Sequence, residues 1–334
     1  MNFAGFLLNG LIRFLGSRKL SIGLLIAGGT YFIYLTVLWF LNIKPPAFYM
    51  VWFPVLALTI PFLANVIINL FTRRYTYTGN ILFHAAFAVI AIGIGISLLY
   101  RFEGEIILTE GGVFWGEKTD YMAMNKKDAF ARLAPKVSFR LDKILPEYWG
   151  QRLYFTKLDG EISYPAETLA SKGTIKLNGG LTINGARVRH TGFGFAPEIL
   201  LEDMQSGTIR RQTSVMMLFP PGSEDYFELG SHKIYIQILS DPVTEQGKLQ
   251  NRSMNLIDPI FLVNITWMGK PIYKGLFKKG QGIMLGNTNI KISFSGVKYW
   301  LQAEIVKDPG EMIVIIGLVI MAAGLALRLF PMKL

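Results

Sequence analysis

Residues 80–100 read NILFHAAFAVIAIGIGISLLY. The stretch holds no Asp, Glu, Lys or Arg, and at about 1.5 Å of rise per residue it is long enough to cross the roughly 30 Å hydrocarbon layer of a bilayer. Leu20–Leu41, Phe48–Phe71 and Met312–Leu327 have the same character. Residues 101–311, between the third and fourth runs, have ordinary soluble composition. The reading is a membrane α-helical protein with four transmembrane helices plus a large β-rich extracytoplasmic domain, antiparallel and sandwich-like. Its expected divisions are a basic amphipathic segment 1–19, three helices in 20–101 (20–41, 48–71 and 80–100), the β-rich domain 102–310, and the fourth helix with its tail, 311–334.

Charge follows the same division. Residues 1–102 contain no Asp or Glu, and 22 of the 23 acidic residues lie in 103–310. The excess of basic residues therefore flanks the apolar runs, which excludes a nucleic-acid patch. Arg13, Arg18, Lys19, Arg73, Arg74, Arg328 and Lys333 fall on one side if the runs alternate across the bilayer. Positive residues favour the cytoplasmic side, so both ends are expected inside a bacterial cytoplasmic membrane and 101–311 outside. Leu20–Leu41 is longer than a signal-peptide core, and no small-residue cleavage site follows it, so it reads as a retained span. Phe3, Phe6, Leu7, Leu11, Phe14 and Leu15 suit a helix lying in the interface.

The chain has no cysteine. A thiol nucleophile, a Cys-ligated metal and a CxxCH haem-attachment site are thereby excluded. In the outer segment, Val137–Leu141, Ile234–Ile238 and Ile290–Phe294 alternate apolar and polar, the mark of half-buried strands. Asp159-Gly160, Asn184-Gly185 and Met268-Gly269 are expected to close hairpins, and Asn125–Ala134 to form a short helix. No GxSxG, glycine-rich phosphate loop or HxxxH pair occurs there. His190 and His232 are read as surface or hydrogen-bonded side chains.

The residue that carries chemistry is His84, an ionisable group inside a span, about 1.5 turns from the cytoplasmic end. Helical spacing puts Phe87, Ala88, Ala91 and Gly95 on its face, a stripe that admits a flat ligand or another helix. Two readings stay open from the residues alone: an axial haem ligand, or a histidine hydrogen-bonded to Asn65 or Asn69 of the second span. Pro54 and Pro61 predict bends in that span. The spans lack interior carboxylates, which argues against an ion-coupled transporter.

Four local motifs, in order, resemble the ResB family of cytochrome c biogenesis, also called the CcsB-type subunit of System II. They are Leu82–Phe87 followed by Ile92–Ile96, like that family's FHxxF…IGxGI; Phe102–Gly111; Leu177–Leu181 through Gly192–Pro197; and Val306–Gly310. The resemblance implies a membrane subunit of a haem-attachment complex, non-catalytic or only part of a holocytochrome c synthase. Such a subunit helps to move haem across the bilayer and present it to apocytochrome c with CxxCH motifs. It also implies that His84 binds the iron of a b-type haem shared with a CcsA-type partner, which supplies the second ligand. A haem-free membrane scaffold and a b-haem electron-transfer subunit are the alternatives. The latter needs two intramembrane histidines for each bis-histidine haem, and the spans offer one.

Overall fold

The computed structural model describes residues 3–41, 43, 53–71, 78–124, 135–148, 155–177, 179–218, 220–286 and 288–329. The chain divides into two compact units. One holds 1–101 and 308–334; the other holds 102–126 and 134–307.

The helical unit begins with α1 (Phe3–Leu15) and α2 (Arg18–Phe40). Ser17 separates them and caps the second, its hydroxyl accepting from Leu20 N at 3.2 Å. A π-helical turn, Pro54–Thr59, leads into α3 (Ile60–Phe71). The irregularity falls where Pro54 removes a backbone donor, and the Thr59 hydroxyl donates to the Pro54 carbonyl at 3.1 Å. The first residues of the expected second span, 48–52, lie outside the described residues. α4 is Thr78–Tyr100 and α5 is Glu311–Leu329. Three helical stretches, Lys19–Leu38, Thr78–Tyr100 and Glu311–Leu329, are long and apolar enough to cross a membrane; Leu56–Asn69 is a shorter apolar helix. Ile26, Phe32, Ile33 and Phe40 of α2 are each more than 60% exposed. Water would penalise that surface, and lipid does not.

α4 and α5 pack through small residues spaced seven apart. Gly79, Ala86 and Gly93 are buried on α4, and Gly317 and Gly324 on α5, with Gly310 buried just before it. A Cβ on Gly317 would stand 2.6 Å from Ile90, and one on Gly93 would stand 2.8 Å from the Val314 backbone. The two backbones approach that closely only because no Cβ stands between them. Asp308 fastens the start of α5: it accepts from Ser97 Oγ at 2.5 Å and from Gly310 N at 2.9 Å.

The strand unit runs in chain order as follows. β1 (Phe102–Thr109), β2 (Val113–Phe114), β3 (Ala123–Met124), β4 (Phe139–Tyr148), β5 (Phe155–Tyr164) and β6 (Ser171–Lys176) come first. β7 (Gly180–Ile183), β8 (Ala186–Asp203), β9 (Ile209–Thr213), β10 (Asp225–Leu229), β11 (His232–Leu239) and β12 (Pro242–Glu245) follow. β13 (Lys248–Asn251), β14 (Ile260–Trp267), β15 (Lys270–Phe277), β16 (Gly282–Met284) and β17 (Ile290–Lys307) complete it. All pairings are antiparallel.

The central sheet has the order β3-β1-β17-β8-β7, with β16 on β17 and β9 on β8. A four-stranded sheet, β2-β4-β5-β6, shares one core with it, built around Phe114, Phe139, Leu141, Ile162 and Leu301. A second, β10-β11-β14-β15, shares another core around Phe195, Ile236, Phe261 and Phe294. β8 and β17, 18 residues each, contribute to both cores. The domain is thus two antiparallel sandwiches on one long pair of strands, where the sequence suggested one.

Two expected hairpins are present. Ile183 pairs with Ala186 across Asn184-Gly185, and Trp267 with Lys270 across Met268-Gly269. All four turn residues have positive φ, as a two-residue type I′ turn demands. The third is not a hairpin: Asp159-Gly160 lies inside the single strand β5, paired with β4 on one side and β6 on the other. Gly160 is buried there, and a Cβ would stand in ordinary contact with Leu301 at 3.4 Å. The expected short helix Asn125–Ala134 lies outside the described residues.

Candidate functional site

His84 sits six residues into α4, roughly 9 Å along the axis from Thr78. Its Nδ1 lies 2.7 Å from the backbone carbonyl of Asn80. A carbonyl only accepts, so Nδ1–H donates. The hydrogen bond orients the ring within α4. Phe83 packs edge-on to the imidazole, with centroids 5.6 Å apart. The Phe87 ring stands edge-on to both Phe83 and Phe62.

The neighbours expected on this face separate into two groups. Phe87 and Ala91 line an apolar groove of about 280 Å³ with Gly28 and Gly29 of α2 and with Leu58, Thr59 and Phe62. Ala88 and Gly95 do not line it, and no atom lies within 4 Å of the position a Cβ would take on Gly95. At about 100° per residue, the Gly79-Ala86-Gly93 seam lies on the far side of α4 from His84. Thus α5 occupies the face opposite the histidine. Sequence reading overlooked that seam, although its signal, small residues at period seven on two apolar runs, was present in the chain.

Asn65 and Asn69 are engaged at the α1–α2 junction and with one another. Asn65 Nδ2 donates to the carbonyls of Leu15 and Ser17, and its Oδ1 accepts from Ser21 Oγ at 2.6 Å. Asn69 Nδ2 donates to the Asn65 carbonyl at 2.9 Å. Both amides are buried, and the Leu15 carbonyl at the end of α1 finds its donor in Asn65. No hydrogen bond joins either to His84 among the described residues.

The other two histidines are not surface groups. His190 is buried on β8, neither ring nitrogen has a partner, and burial pushes its pKa down to about 4. His232, at the start of β11, is also buried and borders a separate cavity. Among the described residues no three His, Asp or Glu side chains converge as a metal site.

The remaining motifs are packing devices. In Phe102–Gly111, a Cβ on Gly104 would run into the Tyr121 ring, and Glu110 ties β4 to β17 by accepting from Ile144 N at 2.9 Å and Tyr299 N at 3.2 Å. In Gly192–Pro197, Gly194 leaves room for the indole of Trp300, whose Nε1 donates to the Met216 carbonyl at 3.0 Å. Val306–Gly310 holds the Asp308 cap. Among these motifs, only the segment around His84 offers a group for chemistry.

The family model described as the ResB-like family matches residues 73–332, from just before α4 through the strand unit and α5. No curated protein matches the chain.

Proposed function

Because the chain belongs to the ResB-like family, which implies a role in cytochrome c biogenesis, we propose that it is the membrane subunit of a haem-attachment complex and that His84 is its axial haem ligand. The observation that carries this reading is the Nδ1–H···O=C bond to Asn80, which holds an imidazole in a fixed orientation inside an apolar helix. A haem iron would supply a Lewis-acidic centre there. His84 provides one ligand, and Phe83 packs against its ring. Ala88 and Gly95 keep the adjoining face low enough for a flat macrocycle or a helix of the partner. The chain has three histidines, and only His84 lies in a span, so the opposite ligand comes from a second chain, a CcsA-type membrane protein. The client is an apocytochrome c bearing CxxCH. The flanking Lys and Arg residues support a bacterial cytoplasmic membrane, with the strand unit outside and both ends inside.

The haem-free scaffold reading is favoured by His84 packed against Asn65 or Asn69, whereas Asn65 bonds the α1–α2 junction and Asn69 bonds Asn65. To test the ligand role, the chain is purified with its partner as wild type and as His84→Ala. Haem per complex and the absorption spectrum are then compared. The variant is expected to carry less haem, and added imidazole to restore part of it. An assembled His84→Ala complex with full haem and an unaltered spectrum would exclude the ligand role.

A further inference from the structure

Phe83, which packs against the His84 imidazole, is itself held by rings from further away, so that four rings meet in series. The His84 and Phe83 rings stand at 81° with centroids 5.6 Å apart. Phe83 and Phe87 stand at 87° and 5.1 Å, and Phe87 and Phe62 of α3 at 81° and 5.9 Å. Each spacing lies in the range where aromatic rings attract edge to face, the positive rim of one on the negative face of the other. A near-perpendicular contact constrains a ring's plane as well as its centre, because turning a ring in mid-series loses the contacts on both of its sides. The series is anchored from outside α4. The Phe83 backbone is pressed against α5, since a Cβ on Gly324 would stand 2.5 Å from Phe83 N. One turn along α3 from Phe62, Asn65 fastens that helix by donating from Nδ2 to the Leu15 and Ser17 carbonyls.

We propose that Phe62, acting through Phe87 and Phe83, is a positioning residue that fixes the plane of the His84 imidazole for its ligand. The identity of that ligand rests on the haem reading above; the positioning rests on the ring geometry. Phe62 and Phe87 make no ring contact with His84 among the described residues, so each acts through Phe83. The bond to the Asn80 carbonyl restrains one nitrogen and leaves the imidazole able to rock about it. The perpendicular contact with Phe83 restricts that rocking. The lone pair of a ligating nitrogen lies in the ring plane, so the plane decides where a metal can stand and how a macrocycle lies beside α4. A ring already held in its bound orientation also loses less freedom on binding. Because Phe62 comes from another helix, the imidazole is set only when α3 is docked, and Asn65 makes that docking depend on the α1–α2 junction.

The test uses the full chain, free of haem, in detergent and with isotope-labelled imidazoles; His84→Gln identifies the His84 signal. Phe62→Leu keeps an apolar side chain and removes the ring. Its melting temperature is expected to stay within a few degrees, while the order parameter of the His84 ring falls from the rigid range, about 0.85, to below about 0.6. Phe87→Leu, in mid-series, should give the same loss from a second position. Phe62→Trp restores an aromatic contact, and the groove of about 280 Å³ beside it has room for the indole, so the order should return. A His84 ring as ordered in the two leucine variants as in the wild type overturns the proposal. Equal loss in Phe62→Leu and Phe62→Trp also overturns it, because ring contact would then not be the cause. The same variants are next purified with the partner and haem. Phe62→Leu should keep most of its haem and shift the low-spin electron paramagnetic resonance signal, which reports the plane of an axial ligand. A loosened imidazole with an unaltered haem signal would refute the ligand reading and leave the ring series standing, so the two failures are told apart.

Discussion

Three histidines in this chain have three chemistries, set by what surrounds each ring. His84 has one nitrogen fixed by a carbonyl of its own helix, His232 faces a cavity, and His190 is enclosed with neither nitrogen matched. The last has a measurable consequence. Unfolded, His190 takes up a proton near its ordinary value of 6.5; folded, it does so only near 4. Between those values unfolding binds a proton, so stability falls as pH drops from 6.5 towards 4 and is unaffected above that window. The loss reaches about 2 kcal/mol by pH 5. Thermal unfolding at pH 7 and pH 5 should show this drop in the wild type and a smaller one in His190→Leu. Equal drops in the two proteins would mean that His190 is not the responsible group. His84 was legible in the sequence because a lone ionisable residue stands out in an apolar run. The enclosure of His190 was not, because it depends on β17, whose Ala303 pairs with His190 from far along the chain.

Among the elements, α4 presents two faces with opposite demands. The face towards α5 has no space: a Cβ on Gly317 would meet Ile90 at 2.6 Å, and one on Gly324 would meet the Phe83 backbone at 2.5 Å. Gly317→Leu should therefore force the helices apart and cost on the order of 3 kcal/mol or more, seen as a lowered melting temperature in detergent. Gly95→Leu is the contrasting case. It points into open space, so the melting temperature should hold within a few degrees while the haem retained by the complex falls. Unchanged haem in a folded Gly95→Leu complex would show that this face of α4 is not used. The strand periods and two hairpin turns were readable because they are local. Asp159-Gly160 misled because its turn preference is also local, and pairing with β4 on one side and β6 on the other outweighs it. The α4–α5 seam joins segments at opposite ends of the sequence, so neither run by itself declares its partner.

For the molecule as a whole, the flanking charges make a topological prediction. Reporters placed at Lys44 and in the β12–β13 turn at Gly247 should read outside, and one at Arg74 should read inside. The Gly247 turn is the suitable site because Gln246 and Gly247 are exposed and join a two-stranded ribbon, whereas an insertion at Gly160 would cut a central strand. An inside signal at Gly247 would reverse the orientation. The large-scale division was legible from composition; the long shared strands were not, because alternation marks a strand but not its neighbours. The pairing of β1 with β17, Phe102 opposite Lys307, also sets a timetable. During synthesis β1 emerges directly after α4 and must wait for nearly the whole outer segment before its main partner exists. Such distant closure is slow and leaves strand edges open meanwhile. A ribosome that stops before Ile290 releases a chain with β1 and β8 lacking their shared neighbour and with the glycine row of α4 uncovered in the lipid. An incomplete copy therefore exposes its defect in both units at once, and only the finished chain conceals it.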